Sequence, residues 1–505
     1  MANHGGLTKR QETVAVESAP SNTDDVSDHS FVEPTPRVKK SFFKKADLWL
    51  VGFYSFPWRI LAEGNQVYIF RVLDSSNYAN AAIINLENGT NIRQQLGFNA
   101  SKWSWTQSMF SYSYMVFEPT NTIMLKAVRP SRWMFLIIFF WGVCASCTSA
   151  VQGFKGMMCL RFALGMAEAG FYPSVLFHMA FWYKPSEMPQ RIAIFYSVGQ
   201  VAGAVSGLLA YAIGYMDGLG GLPGWRWLFL LEGLPAIIVS FVALWKLPNY
   251  PETAKILNEE ERKYATTRLV KTAPQGKKGN WDYKSLLVLV KDPTFYTFSV
   301  FWICHGIGGF GVGVALPTVI YDLGFTTTAN TQLMNMVRTP PFLSVYRLLT
   351  SRCKPPYVAA CVFLNIIGYL LHKKILRPWT TAVGIEVTIM ACYVILFTVS
   401  IPTVRYIVLI VAISCAGSAY PVIWPERIRA LEGTVAAGIG IGWTNAMAQF
   451  SGIVGPHVYS SVFGPSYRVS YGICMSFLVV GVCMILTSWY LVRHKDQKRS
   501  LQFDN

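Results

Sequence analysis

Apolar stretches of about 20 residues recur along the chain, separated by short polar or basic connections. A helix of that length spans the roughly 30 Å hydrocarbon core of a bilayer. Six such segments are predicted in the first half, at about 48–86, 104–126, 132–152, 156–182, 190–213 and 226–247. Six more are predicted in the second half, at about 295–320, 355–372, 378–400, 404–424, 433–461 and 469–492. The pattern predicts an all-α integral membrane protein with twelve transmembrane helices.

Polar stretches divide the chain into two similar halves. Residues 1–45 are polar and are predicted to be a disordered tail. A polar central loop at 248–292 separates the predicted transmembrane halves 46–247 and 293–493, and 494–505 form a second tail. Two blocks of six helices around a basic central loop are typical of a secondary transporter with two pseudo-symmetric halves.

Composition agrees with a membrane protein, and the charges orient it. Of the residues, 52% are hydrophobic and 14% are charged, whereas soluble domains carry about 25% charged residues. The net charge of +17 does not indicate nucleic-acid binding, because Lys and Arg gather in the connections on one side of the bundle. Such connections face the cytoplasm, so both termini and the central loop are expected there. The sequons Asn88-Gly-Thr90 and Asn99-Ala-Ser101 fall in a predicted outer loop.

Signals for other classes of function are weak. The ten cysteines lie mostly in apolar segments and do not form a disulfide framework. Gly306-x-Gly308-x-x-Gly311 matches a dinucleotide pattern but follows no strand, so helix packing is predicted instead. The sequence contains no Gly-x-x-x-x-Gly-Lys-Ser/Thr loop for an ATP-driven pump, no metal-ligand spacing and no arguable catalytic cluster. We therefore expect neither an enzyme nor a bound cofactor or metal.

Two ionisable residues in the fourth segment are the main functional candidates. A charge at mid-bilayer costs roughly 2.5–3.5 kcal/mol, so such residues usually face a cavity and carry function. At 100° per residue, Arg161, Gly165, Glu168 and Tyr172 fall on one helix face. The alternative is a structural ion pair of Arg161 and Glu168 that locks helices together.

Other polar residues inside apolar segments extend the candidate set. They are Asp74, Asn77, Glu118, Asn121, Glu232, His305, Glu386, Asn445 and Gln449. Glu118 precedes a proline, which can free backbone carbonyls near it. Glu232 is expected to be structural, and Asp74 and Asn77 either line a cavity or brace the first helix. His305 is predicted to be a packed hydrogen-bonder, with a proton relay as the alternative.

Several local motifs resemble one transporter family. They are Phe117-Glu118-Pro-Thr-Asn121, Arg129-Pro-Ser-Arg-Trp133, Arg161-Phe-Ala-Leu-Gly165 with Glu168-Ala-Gly170, Met216-Asp-Gly-Leu-Gly-Gly, Gly224-Trp-Arg-Trp-Leu and Gly452-Ile-Val-Gly455-Pro456. With these motifs the chain resembles fungal major facilitator superfamily carriers of the allantoate permease type, in the anion:cation symporter family. The resemblance covers about 65–495, is close over 104–262 and is patchy beyond 330. It implies a major facilitator fold of two six-helix halves.

The resemblance also implies proton-coupled uptake of a small organic anion, such as allantoate, nicotinate or pantothenate, across the plasma membrane. In related carriers the Arg of the fourth segment serves the anion and the Glu serves the coupling proton. Both positions match here. The residues predicted to bind substrate are Arg161, Tyr172, Asn77, Asn445 and Gln449, and those predicted to couple protons are Glu168, Glu118 and Asp74. The expected partners are the anion, protons and the bilayer, and a monomer is expected.

Two stretches depart from that family. Residues 51–66 are polar where an unbroken apolar run is expected, and 337–354 are interpreted as an insertion. The hypothesis is that they are retained introns and that the chain is a defective carrier; spliced transcripts that keep both would refute it. A second alternative is a membrane nutrient sensor that binds without transporting. A cationic-drug exporter is disfavoured, because a cavity-facing Arg161 would repel a cation.

Overall fold

The computed structural model is mainly helical, and no strand occurs among the residues it describes. These residues are 35–51, 67–82, 84–85, 88–269, 283–310, 355–431, 434–459 and 467–503. Residues 52–66 and 337–354 lie outside them, so the retained-intron hypothesis stays a prediction. The tail predicted to be disordered over 1–45 ends in a helix from Pro36, which corrects that part of the prediction.

Each predicted transmembrane segment contains a helix. The first half comprises α1 (Pro36–Ala46), α2 (Val67–Ala81), α3 (Ile92–Gln95), α4 (Ala100–Val128), α5 (Pro130–Thr148), α6 (Phe154–Glu168), α7 (Phe171–Ala180), α8 (Met188–Gly214) and α9 (Gly224–Lys246). Two helices connect the halves, α10 (Glu259–Thr267) and α11 (Tyr283–Lys291). The second half comprises α12 (Pro293–His305), α13 (Pro355–His372), α14 (Pro378–Thr398), α15 (Pro402–Ala430), α16 (Thr434–Ala448), α17 (Phe450–Val458) and α18 (Arg468–Phe503). By length and composition, six of the described helices can cross a membrane.

Helix packing repeats between the two halves. In the first half α5 lies along α9, α4 along α6 and α2 along α8. The corresponding helices of the second half pack in the same way, α14 along α18, α13 along α15 and α12 along α16. The halves meet where α4 packs on α16 and α8 packs on α13. The repetition confirms the two pseudo-symmetric six-helix halves predicted from the sequence.

Close helix contacts depend on glycine at the α5–α9 crossing. A Cβ at Gly142 would lie 2.9 Å from Cγ1 of Ile237, and one at Gly233 would lie 2.7 Å from the backbone nitrogen of Ser146. Small residues let the two helices approach closely. Such packing drives helix association in a bilayer, because the lipid tails are as apolar as the helices.

Helix α1 docks on α10. The rings of Phe42 and Tyr264 meet edge to face at 5.6 Å, and the Arg268 guanidinium lies 4.8 Å from the Phe42 ring centroid. Lys45 Nζ pairs with Glu261 Oε2 at 2.8 Å. We call this contact the α1–α10 latch.

Glu261→Gln is expected to loosen the latch. Burial raises the pKa of the Glu261 carboxyl, but hydrogen bonds from Lys45 and Ser41 outweigh it and hold the pKa below its ordinary value. The latch should therefore be fully stable above the ordinary pKa of glutamate and lose stability as pH falls through the lowered pKa. Trypsin should cleave α1 about threefold faster in the variant, in line with the small worth of a partly exposed ion pair. The exposed neighbour Glu260→Gln is the control, and equal cleavage rates for the two variants would contradict the prediction.

Candidate functional site

The fourth predicted segment is two helices rather than one. Helix α6 ends at Glu168 and α7 begins at Phe171. At the break, a Cβ on Gly170 would overlap the side chain of Asn121 on α4, and Asn121 Nδ2 donates to the Met166 carbonyl oxygen at 3.0 Å. The break places Tyr172 on a different helix from Arg161 and Glu168, which corrects that part of the predicted shared face, whereas Arg161, Gly165 and Glu168 all lie on the buried side of α6.

A cavity of about 150 Å³ lies beside α6. A cavity of about 10–15 Å³ can hold one water, so this one has room for several waters or a small organic acid. The side chains in its lining that carry polar groups are Asp74, Ser75, Tyr78, Gln107, Ser111, Arg161 and Glu168. Gly452 of α17 also lines it, so both halves of the protein contribute to its wall.

Arg161 carries a positive charge into this cavity. Its Nε donates to the Thr106 carbonyl oxygen at 3.2 Å. The guanidinium carbon lies 4.1 Å from the ring centroid of Tyr78 and 4.8 Å from that of Phe110. Cation–π contacts of this kind hold a guanidinium in place without neutralising it. Among the described residues, Arg161 is in no ion pair, although Asp74 and Glu168 line the same cavity.

Glu168 pairs with Arg71 of α2 and not with Arg161. Arg71 Nε lies 2.5 Å from Glu168 Oε1, and the glutamate side chain is 1% exposed. Sequence reasoning missed Arg71, which is not among the predicted site residues. It carried the same signal as Arg161, a cation inside an apolar segment, three residues before Asp74.

Asp74 completes the charged wall. Its Oδ2 accepts a hydrogen bond from Trp141 Nε1 at 2.8 Å, and its side chain lines the cavity. Two arginines and two acids thus lie together, Arg71 and Arg161 with Asp74 and Glu168. With all four ionised, their formal charges cancel.

The other predicted site residues lie away from the cavity lining. Asn77 donates to Glu232 between α2 and α9, and Asn445 of α16 donates to Glu118 of α4, which ties the halves together. Gln449 lies at the break between α16 and α17. Tyr172 packs in a cluster of aromatic rings, 5.2 Å from Tyr196 and 5.8 Å from Tyr420. Direct roles for these residues in binding or coupling stay predictions.

Gly165→Ala is expected to destabilise the site by about 1–3 kcal/mol, the usual cost of overpacking. A Cβ at this position would overlap Ser113 Oγ and the Phe110 carbonyl oxygen on α4, and a backbone atom cannot yield as a flexible side-chain end can. Gly156→Ala on the same helix is the control, since its Cβ would meet only Val151 Cγ1 at 3.8 Å. Thermal unfolding in detergent measures both. A melting temperature for Gly165→Ala equal to that of the control would refute the packing account.

Comparison with known proteins agrees with a carrier. The family model described as Major Facilitator Superfamily matches residues 73–456. The chain is 27% identical over 474 residues to the "MFS-type transporter cnsO" of Penicillium expansum, covering 91% of this chain and 85% of the relative. It is 26% identical over 392 residues to a "Putative tartrate transporter" of Agrobacterium vitis, covering 77% and 83%.

Among solved structures, the chain is similar to the human organic anion transporter MFSD10 (TETRAN). The TM-score is 0.54 at 12% sequence identity, over 90% of this chain and 100% of that one. At that identity the likeness shows the fold, and it confirms the predicted major facilitator fold. The chain belongs to the Major Facilitator Superfamily of membrane transporters.

Proposed function

We propose that the protein is a secondary active carrier that couples proton uptake to the uptake of a small organic anion. Within the superfamily, the allantoate permease type is the group we assign it to. One observation carries the proposal: Arg161 lines the cavity with no ion-pair partner among the described residues. A guanidinium can bind a carboxylate through two parallel hydrogen bonds.

Charge balance gives the coupling a physical reason. Asp74, Glu168, Arg71 and Arg161 sum to zero when all are ionised. A bound carboxylate would make the site net negative in a medium that solvates charge poorly, which is unfavourable. A proton on Asp74 or Glu168 restores neutrality. The anion and the proton therefore favour each other's binding, and no ATP is required.

Alternating access follows from where the cavity lies. Its wall joins α2, α4 and α6 of the first half to Gly452 of α17 in the second half. Rocking of one half against the other would open it to one side and then to the other. The hydrogen bond between Asn445 and Glu118 would have to break in that movement. We place α1 and the central segment on the cytoplasmic side, following the bias of basic residues.

Uptake by proteoliposomes tests the proposal. Radiolabelled tartrate, allantoate, nicotinate and pantothenate are offered under an imposed pH gradient, acidic outside. We expect at least one to accumulate, and to stop accumulating when a protonophore collapses the gradient. Binding without flux would favour the sensor alternative, and uptake that ignores the gradient would refute proton coupling.

A further inference from the structure

A buried histidine–glutamate pair lies in the second half, outside the cavity. His305 ends α12, and Glu386 lies in the middle of α14. His305 Nδ1 is 2.6 Å from Glu386 Oε1, and the two side chains are 0% and 1% exposed. The sequence marked both residues as polar groups in apolar segments but did not pair them.

Hydrogen-bond accounting requires a proton between the two groups. His305 Nε2 lies 3.2 Å from the Ala416 carbonyl oxygen, which can only accept, so Nε2 carries a hydrogen. A neutral imidazole has one N–H, and Nδ1 would then turn a lone pair toward an ionised carboxylate. A separation of 2.6 Å between two acceptors is repulsive. The pair therefore holds one further proton, on Nδ1 or on Oε1, and is neutral as a whole in either form.

The surroundings keep that proton in place. The rings of Phe301, Trp302 and Phe310 lie 5.6, 5.6 and 5.1 Å from the imidazole. The titratable groups facing Glu386 are the thiols of Cys304 on α12 and Cys415 on α15, and Cys392 on α14 lies next to Cys415. No third charged side chain pairs with His305 or Glu386 in the described helices. Loss of the proton would leave a buried, unneutralised carboxylate, so the proton leaves only when the pair separates.

A π-helical turn next to His305 gives the pair a point of movement. Gly306–Phe310 form this turn, and such irregular turns are frequent at functional sites. A Cβ at Gly309 would lie 3.1 Å from His305 Cε1, and one at Gly306 would lie 2.8 Å from the Ala448 carbonyl oxygen. The turn therefore packs closely against the imidazole and against α16. The contact at Gly306 agrees with the helix-packing role predicted for the motif Gly306-x-Gly308-x-x-Gly311. Gly311 lies outside the described residues.

Aromatic contacts connect the pair to the helix that follows Glu168. The Phe310 ring, which touches the imidazole, lies 5.5 Å from Tyr420. Tyr420 in turn lies 5.8 Å from Tyr172 on α7. A continuous row of packed rings thus joins the second half to the broken fourth segment.

We propose that the His305–Glu386 pair is a second proton-binding site, which loads and releases one proton per transport cycle as α12 and α14 separate. The proton comes from water on one side when the pair opens, binds between Nδ1 and Oε1, and returns to water on the other side. No other bond is made or broken. The release of this proton during transport rests on the proposed function, whereas the presence of a proton between His305 and Glu386 does not.

Accumulation at steady state counts the coupled protons. With the membrane potential held at zero, each proton multiplies the accumulation ratio by ten per pH unit. At a difference of half a unit, two protons give about tenfold accumulation of the transported carboxylate and one gives about threefold. We expect about tenfold for the wild type and for the control Glu259→Gln, at an exposed position of α10. We expect about threefold for Glu386→Gln, whose amide can donate to Nδ1 in place of the proton.

Infrared spectroscopy of the purified protein tests the proton without a substrate. A shared proton gives the band of a protonated carboxyl or of an imidazolium, and Glu386→Gln should remove it. Threefold accumulation by the wild type, equal accumulation by wild type and Glu386→Gln, or neither band would each overturn the second site. If the wild type accumulates none of the four carboxylates, the proposed function fails, and the infrared result alone decides the pair.

Discussion

Arg161→Gln is expected to lower gradient-driven carboxylate uptake by more than about 100-fold. The variant keeps a polar side chain, although a shorter one, and removes the positive charge and the paired N–H donors. Leaving one partner of a desolvated ion pair without its counterion costs about 3–5 kcal/mol, and each 1.4 kcal/mol is a factor of ten. Arg161→Lys should be intermediate, since an ammonium keeps the charge but cannot form two parallel hydrogen bonds.

The matched control for this prediction is Lys155→Gln. Lys155 is an exposed cation on α6, six residues before Arg161, so its loss changes the net charge of the helix equally. Initial rates of uptake by proteoliposomes with equal amounts of protein measure the effect. Near-wild-type uptake by Arg161→Gln, or an equal loss in Lys155→Gln, would remove Arg161 from anion binding.

Glu168→Gln is expected to lower accumulation at a pH difference of half a unit from about tenfold to about threefold, because only the His305–Glu386 proton remains coupled, while exchange of labelled for unlabelled substrate continues. Exchange requires the loaded carrier to change sides but does not require it to release its proton. The amide mimics the protonated acid, so the carrier should run as if always loaded with that proton. Accumulation by Glu168→Gln that still follows the pH gradient in full would refute the coupling role, and the exposed Glu260→Gln is the control.

The ion pair between Arg71 and Glu168 leads to a further prediction, about stability. Glu168→Gln leaves Arg71 without its counterion, and Arg71→Gln leaves Glu168 without its own. Each single variant should therefore be destabilised, by about 3–5 kcal/mol if the pair behaves as fully buried. The double variant should be less destabilised than the sum, with an interaction energy of about 1–3 kcal/mol. Thermal unfolding of the four proteins measures it, and strict additivity would mean that the ion pair contributes nothing.

The sequence predicted where the helices lie better than it predicted which side chains meet between them. Apolar runs predict where helices lie, because each transmembrane helix satisfies its own backbone hydrogen bonds within one stretch of chain. Each of the twelve segments accordingly contains a helix. The same patterns predicted Arg161 and Glu168 as candidates, because a charge in an apolar segment stands out without any knowledge of packing.

What the sequence could not predict was which side chains meet. Glu168 pairs with Arg71, which lies 97 positions earlier in the chain. His305 pairs with Glu386, which lies 81 positions later. Periodicity along one helix contains no information about the helix that faces it. The break at Ala169 and Gly170 was missed for a related reason. The motif there resembles a continuous helix, and what Gly170 accommodates is a side chain of α4.

The central claim is that an anion bound at Arg161 brings a proton with it, and external pH tests it most directly. Carboxylate is added to lightly buffered proteoliposomes with no initial pH gradient and with the membrane potential held at zero. The account predicts that the external medium becomes alkaline as the anion enters, and that Arg161→Gln abolishes both the alkalinisation and the uptake. Anion uptake by the wild type with no change in external pH would contradict it.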